Sequence, residues 1–430
     1  MTHPQPTRRA LLAAGLLGTQ ALRATAAAPP ATGAADAPTT LTVAAFPLVD
    51  EIVAAALPRW KALHPHVQIK VVSRQYQDHH TAMTTALSTS VLLPDVMALE
   101  VSYVGRFAQG LGLDDLALPP YNAAALRPRF VPYAFDQATN RRGALVAVPT
   151  DVGPGTMLYR RDILERAGVD PAELRTWDGY VAAGLKIKAA TGAHMVAHVA
   201  QIKDIVIRTG LLPGQGLYFD RDSRVLVNSP RFVRAFELAR RMRKAKLDAR
   251  IAAWSNEWAE GFKRGTLATE LSGAWIVGQL SNWVAPDTRG LWRAAQFPDG
   301  AFAGYGGAFY AIPRRANPAH KALAWQFIQM MTLDRDLQTQ AFRKFDAFPA
   351  LMETHADPFF DEPVAFLGGQ PARLLWREAA QHIQAAPLHK QNGFAEEVIG
   401  TELDNVLDRG KDIGAALADA ERLLQRRAFR

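Results

Sequence analysis

Acidic, amide and aromatic side chains follow the ends of predicted strands in the first third of the chain. They are Gln75 and Tyr76 after one strand, Glu100, Ser102 and Tyr103 after the next, and Asp151 after ALVAVP. Ligands of α/β sheets bind at the carboxyl ends of the strands, so these groups can converge on one cleft. Carboxylates, amides and hydroxyls together suit a polyhydroxylated ligand, although each residue alone is equally typical of a solvated loop.

Tryptophan is concentrated in one part of the chain. Six of the nine tryptophans lie between residues 254 and 325. Core packing explains some of them, such as Trp325 among apolar residues. Trp275 lies in SGAWIVG beside a glycine, and with Trp254 it is a candidate to stack on the C–H face of a sugar ring.

Several catalytic motifs are absent from the sequence. We find no GxSxG, HExxH, P-loop or strand-linked GxGxxG motif, and no cofactor or metal site is expected. The adjacent His79 and His80 are predicted to face different ways on a helix, which disfavours a metal site. A glycosidase needs only two carboxylates, so Glu100 and Asp151 keep that alternative open.

The N-terminus has the pattern of an export signal. Arg8 and Arg9 precede the apolar run from Ala10 to Leu22, and small residues follow at 24–26. We predict a twin-arginine signal peptide over residues 1–28, with a Sec signal as the alternative, and a disordered leader over 29–40. The chain has no cysteine, which excludes disulfides and a lipid anchor on cysteine. The predicted location is the periplasm.

The net charge does not indicate nucleic-acid binding. The formal charge is +8, and removal of residues 1–28 takes away three arginines and no acids, which leaves +5. The densest basic stretch, Arg240 to Lys246, is predicted to be the solvated face of a helix.

Alternating strand and helix patterns predict an α/β fold. The predicted elements of the first hundred residues are a strand at 41–46, a helix at 49–65, a strand at 67–73, a helix at 81–90 and a buried strand at 92–99. This order is typical of a parallel sheet. Later helices are predicted to begin at the caps Thr176, Ser229 and Asn317. The C-terminal quarter is predicted to be mostly helical.

Segments spread over nearly the whole predicted mature chain resemble the family 1 extracellular solute-binding proteins of ABC sugar importers. They are FPLVDEIVAAALPRWKALHPHVQIKVV, LPDVMALEVSYVGRFAQGLGLDDL, GALVAVPTDVGPGTMLYRRDILERAGV with TWDGYVAAG, GFKRGTLATELSGAWIVGQL and GYGGAFYAIPRRANPAHKALAWQFIQMM. Their order and spacing carry the resemblance, since no single segment is diagnostic.

The resemblance implies a two-lobed, type II periplasmic binding protein with the ligand in the cleft between the lobes. It places lobe 1 at 41–149 with 305–344 and lobe 2 at 150–304 with 345–430. The chain would cross between the lobes near 149–151, 304–310 and 345–349. The implied protein is a monomer without enzymatic activity that delivers a mono- or oligosaccharide to a membrane permease.

The resemblance also assigns roles to site residues. Glu100, Ser102 and Tyr103 match the loop that reaches the sugar, Asp151 the acid that binds hydroxyls, and Trp275 the stacking aromatic. Gly306 and Gly307 match the paired glycines that let the backbone approach the ligand. The aromatic residue after the PDV strand of maltose binders is replaced here by Leu99, which argues against a maltodextrin. A phosphorylated polyol or another small solute on the same fold is the second alternative.

Overall fold

The computed structural model describes residues 39–428 except 109, 111, 141 and 213. The predicted signal peptide and most of the predicted leader lie outside these residues. In the part of the chain that is described, no helix has the length and apolarity to cross a membrane.

The larger of two sheets has five strands in the order β2-β1-β3-β8-β4. They are β1 (Thr39–Ala45), β2 (Val67–Ser73), β3 (Val96–Glu100), β4 (Val148–Pro149) and β8 (Ala308–Ala311). The first three strands are parallel as predicted, and Val43 of β1 pairs with Val71 on one side and Val96 on the other. The sheet as a whole is mixed, because β8 runs antiparallel to both β3 and β4.

The smaller sheet has three antiparallel strands in the order β6-β5-β7. They are β5 (Gly155–Arg160), β6 (Thr269–Gly273) and β7 (Trp292–Ala295). A second hydrophobic core, which includes Met157 and Leu271, joins this sheet to the helices around it. We call the parts built around the large and small sheets lobe 1 and lobe 2.

Helices surround both sheets. They are α1 (Val49–Leu63), α2 (Tyr76–Thr89), α3 (Val101–Ala108), α4 (Pro132–Gln137), α5 (Arg161–Arg166), α6 (Trp177–Thr191), α7 (Ala200–Thr209), α8 (Pro230–Lys244), α9 (Asn256–Arg264), α10 (Ile276–Gln279), α11 (Lys321–Leu333), α12 (Arg335–Phe345), α13 (Ala372–His382), α14 (Asn392–Arg409) and α15 (Ile413–Gln425). Thr176 caps α6 by accepting a hydrogen bond from the Gly179 backbone N–H at 3.0 Å, as predicted. Ser229 precedes α8 in extended geometry but makes no side-chain cap.

Several element boundaries differ from the prediction. The buried strand predicted at 92–99 is β3 at Val96–Glu100, because Leu92 is exposed. Strand β1 begins at Thr39, inside the predicted leader, because Thr39 and Thr40 pair with β2. Helix α2 begins at Tyr76 rather than Thr81, because the rings of Tyr76, His79 and His80 all pack against Phe46.

The basic stretch on α8 is not wholly solvated, which corrects the prediction. Arg243 is buried, its Nε lies 3.0 Å from Asp248, and its Nη1 lies 3.0 Å from Asp408. A buried guanidinium is stable only when its donors are paired, so this arginine holds lobe 2 together.

Two segments connect the sheets, after β4 and after β7, and a third segment, residues 346–350, hydrogen-bonds to the first of them. The Val152 N–H donates to the Phe348 carbonyl at 2.9 Å, and the Tyr305 N–H donates to the Gly153 carbonyl at 2.7 Å. Thr150 donates its N–H to Ala308 at 2.9 Å. The first two connections between the lobes therefore lie side by side, with residues 346–350 alongside them.

Candidate functional site

Asp151 lies where these three segments meet. Its backbone forms a bridge with Pro349, and its Oδ1 accepts a hydrogen bond from the Ala308 backbone N–H at 2.7 Å. Burial, with a smaller contribution from the negative charge of Glu100, raises the pKa of Asp151 to about 6. The predicted acid is therefore at the junction of the lobes, with one carboxylate oxygen already bonded to the backbone.

Glu100 ends β3, and α3 begins at the next residue. Its Oε2 accepts hydrogen bonds from the Tyr76 hydroxyl and the Ser102 backbone N–H, both at 2.8 Å. Burial raises the pKa of Glu100, while these donors oppose that rise. The structure thus brings three of the predicted site residues into contact at the N-terminus of α3, where partial positive charge favours a carboxylate.

His80 contacts Tyr76, Glu100 and Tyr103 and holds them in place. Its Nε2 accepts the Glu100 backbone N–H at 3.1 Å, so its Nδ1 carries the hydrogen that binds the Tyr76 carbonyl at 2.7 Å. Its ring stacks on that of Tyr103, with centroids 3.9 Å apart. Burial lowers the pKa of His80 to about 4, so the ring is neutral near pH 7.

The prediction that the two adjacent histidines face different ways is wrong. Both are buried, because the aromatic contacts of α2 turn them toward Phe46. The His79 Nε2 lies 2.7 Å from the Ala98 carbonyl. Among the described residues, no three histidine or acidic side chains are grouped as a metal site would require.

Three tryptophans form an aromatic surface on lobe 2. The Trp254 ring lies within 13° of parallel to Trp275 at 6.0 Å and within 25° of parallel to Trp283 at 6.3 Å. Trp275 is half-buried and donates its indole N–H to the Tyr305 carbonyl at 2.8 Å. Trp254 and Trp283 are 52% and 57% exposed. Trp325, by contrast, is buried in the core, as expected.

Gly306 and Gly307 are required by local packing, whatever their relation to a ligand. Their φ angles are +94° and +131°, which side chains rarely tolerate. A Cβ on Gly306 would lie 2.8 Å from the Trp275 indole nitrogen, and one on Gly307 would lie 3.1 Å from the Asp151 carbonyl oxygen. The pair thus lets the second connection between the lobes fit against two other candidate residues.

A cavity of about 60 Å³ lies between the lobes. Its lining includes Ser102 and Gly306 from the predicted set, and Arg208, Tyr218 and Glu396, which sequence reasoning missed. Arg208 is on α7, a helix that the sequence analysis did not identify, and no local motif distinguishes it. Gln75 is exposed, and no side-chain contact joins it to the site.

Comparison with protein families identifies one match that covers most of the chain. The family described as "Bacterial extracellular solute-binding protein" matches residues 55–367. A lactose-binding protein from Rhizobium radiobacter is 26% identical over 85% of this chain and 89% of its own length. An arabinooligosaccharide-binding protein from Bacillus subtilis (strain 168) is 26% identical over 63% of each chain.

Solved structures of low sequence identity share the fold. An extracellular solute-binding protein of family 1 superposes with a TM-score of 0.79 at 23% identity, covering 91% of this chain and all of that one. The sugar-binding protein MalE from Xanthomonas citri gives 0.76 at 21% identity, over 91% and 97% of the two chains. These matches confirm both the resemblance inferred from the sequence and the two-lobed α/β fold that it implied.

Proposed function

The chain belongs to the family of bacterial extracellular solute-binding proteins, and from this premise we propose that it captures a neutral oligosaccharide and delivers it to an ABC importer. The observation that carries the proposal is the lining of the interlobe cavity. Hydroxyl, carboxylate and amide groups from both lobes meet there, and parallel indoles lie on lobe 2. Such polar groups bind hydroxyls, while aromatic faces cover the C–H face of a sugar ring.

The charge around the cleft favours a neutral ligand over a phosphorylated polyol. Glu396 lines the cavity, and Glu100, whose charge helps to raise the pKa of Asp151, directly precedes the lining residues 101 and 102. Arg208 is the one basic residue among the described lining residues. A phosphate there would be placed near several carboxylates and would be repelled. A sugar hydroxyl can instead donate to a carboxylate and accept from the guanidinium.

The indoles favour a ligand of more than one sugar unit. Trp254 and Trp283 each leave about half of the side chain in contact with solvent, which costs hydrophobic free energy. Sugar rings beyond the unit held in the cleft would cover this surface. A lactose-binding and an arabinooligosaccharide-binding relative support the same size class.

Binding requires the lobes to separate and close again. A cavity of about 60 Å³ holds a few water molecules and is far smaller than the ~300 Å³ of small-molecule sites. Gly105 of α3 packs directly on Leu388 and His389, which precede α14. Closure would bury the ligand and present both lobe surfaces to the permease.

The other assignments complete the proposal. The predicted lobe bounds are kept except that lobe 1 begins at Thr39 with β1, so that lobe 1 is 39–149 with 305–344 and lobe 2 is 150–304 with 345–430. The protein acts as a monomer in the periplasm after twin-arginine export, without enzymatic activity and without a lipid anchor, since there is no cysteine to carry one. The Glu100 and Asp151 carboxylates each bind a backbone N–H, which suits fixed acceptors better than a glycosidase pair.

A thermal-shift and calorimetry screen tests the proposal. Residues 39–430 would be screened against lactose, maltose, β-1,6-galactobiose and an arabinotriose, with glycerol 3-phosphate as the anionic comparison. A ligand that binds only the folded state must stabilise it, so we expect a rise of several degrees for at least one neutral saccharide. Stabilisation by the phosphate alone would contradict the proposal, and so would hydrolysis of a bound disaccharide.

A further inference from the structure

Arg208 is half-buried and, unlike the buried Arg160 and Arg243 and the half-buried Arg231, has no hydrogen-bond partner among the described residues. Arg243 is paired with two aspartates, Arg160 binds Asp162 and a carbonyl, and Arg231 donates to three carbonyls. For Arg208, no hydrogen bond or ion pair is found with any residue that the structure describes. Its guanidinium instead lies over the Tyr305 ring, 4.8 Å from the centroid, and lines the interlobe cavity.

The acids near Arg208 either bind other residues or lie too far from the guanidinium to form a hydrogen bond. Asp204 forms an ion pair with Lys203 at 2.6 Å, and Glu100 is held by Tyr76 and Ser102. Glu396 lines the same cavity but forms no ion pair with Arg208. These acids therefore leave the five N–H donors of the half-buried guanidinium free to bind an acceptor that enters the cavity.

The position of Arg208 is set by the second connection between the lobes. Tyr305, under the guanidinium, donates its N–H to Gly153 and accepts the Trp275 indole N–H through its carbonyl. Tyr305 thus holds the Arg208 guanidinium, the Trp275 indole and the first connection between the lobes in fixed positions relative to one another. A planar guanidinium held against the Tyr305 ring can donate to two adjacent oxygens with better geometry than the flexible ammonium of a lysine.

We propose that Arg208 is a specificity-determining residue that donates two hydrogen bonds to adjacent oxygens of one sugar unit, either neighbouring hydroxyls or a hydroxyl and the ring oxygen. This inference rests on the proposed function and names the group that distinguishes one saccharide from another. Recognition by a fixed donor pair discriminates strongly, because an analogue that lacks one acceptor leaves a buried donor unpaired.

The test combines Arg208→Lys and Arg208→Gln with monodeoxy analogues of whichever screened saccharide binds the unaltered protein most tightly. Calorimetry should show about tenfold or greater weakening in both variants. One deoxy analogue should bind the unaltered protein at least about tenfold more weakly than its parent sugar, and this discrimination should shrink in Arg208→Lys. The control is Arg427→Lys, since Arg427 is an exposed residue in the turn after α15 and lies over the Phe394 ring at 4.0 Å. It should bind every analogue like the unaltered protein.

The possible outcomes distinguish a role of Arg208 in ligand specificity from a purely structural role. A uniform loss of affinity with unchanged discrimination among analogues would assign Arg208 to packing and overturn the inference. Unchanged affinity in both Arg208 variants would also overturn it while leaving the proposed function intact. Failure of every saccharide to bind the unaltered protein would overturn the proposed function, and this inference with it.

Discussion

The Asp151 Oδ1 accepts a hydrogen bond at 2.7 Å from the backbone N–H of Ala308, 157 residues later in the chain. This contact joins the first and second connections between the lobes. The carboxylate that best fits a ligand acceptor is therefore also a structural link at the hinge. The ligand-binding role and the structural role of Asp151 can be separated by substitution with asparagine, whose amide oxygen still accepts a hydrogen bond but carries no charge.

Asp151→Asn should weaken saccharide binding by about tenfold, the loss of one charge-assisted hydrogen bond. Its amide oxygen can still accept from Ala308, so the melting temperature should stay within a few degrees or rise. Asp151→Ala should lower both affinity and melting temperature. Asp346→Asn is the matched control, since burial also raises the Asp346 pKa to about 6. Wild-type affinity in Asp151→Asn, measured by calorimetry, would limit this residue to the hinge contact.

Gly105→Leu should act as a wedge between the lobes. A Cβ at Gly105 would already lie 2.8 Å from the Leu388 Cβ, so a larger side chain opposes closure. We expect a several-fold lower affinity and a larger radius of gyration with ligand present, measured by calorimetry and small-angle scattering. Gly400→Leu is the control, because a Cβ at that position on α14 meets nothing within 4 Å. Equal affinities for the two variants would contradict closure at this contact.

Trp254→Ala and Trp283→Ala should weaken binding in a manner that depends on ligand length. Each removed ring takes away about 0.5–1.5 kcal/mol of stacking, or roughly two- to thirteenfold in affinity. The loss is expected for a trisaccharide and not for the corresponding monosaccharide, whose single unit stays in the cleft. Calorimetry with both ligands measures the difference. The same loss for both would show that the indoles act within the cleft instead.

Glu270→Gln should remove a pH-dependent cost from the folded state. Glu270 is buried on β6, with Oε1 bound to Gln201 at 2.6 Å and Oε2 unpaired among the described residues. Burial raises its pKa from 4.5 to about 8, so the folded protein binds an extra proton between these values. Its contribution to stability is thus present at acidic pH and is lost as pH rises toward 8.

The comparison of Glu270→Gln with the unaltered protein isolates that group. Their melting temperatures should nearly agree at pH 4, below the unfolded pKa of 4.5, and the variant should melt several degrees higher at pH 8.5. Buried histidines whose pKa is lowered, such as His80, change both proteins equally. A difference that stays constant across this pH range would show that Glu270 titrates normally.

The element pattern and the approximate site position could be predicted because they depend on neighbours in sequence. The Thr176 cap joins residues three apart, and Glu100 reaches Ser102 two residues away. Hydrophobic alternation likewise located β2 without reference to any other strand. Helix α2 was predicted to begin too late because its first turn depends on Phe46, thirty residues earlier.

The sequence by itself determined the α/β alternation, the family, and the strand ends that carry Glu100 and Asp151. Only the tertiary structure decided which donors those acids bind, that Trp254 and Trp283 remain exposed, and that Arg208 faces the cavity unpaired. The physical reason is the separation of the partners. Tyr76 and Glu100 are 24 residues apart, and Asp151 and Ala308 are 157 apart. Such contacts exist only after the segments that carry them have folded and packed together.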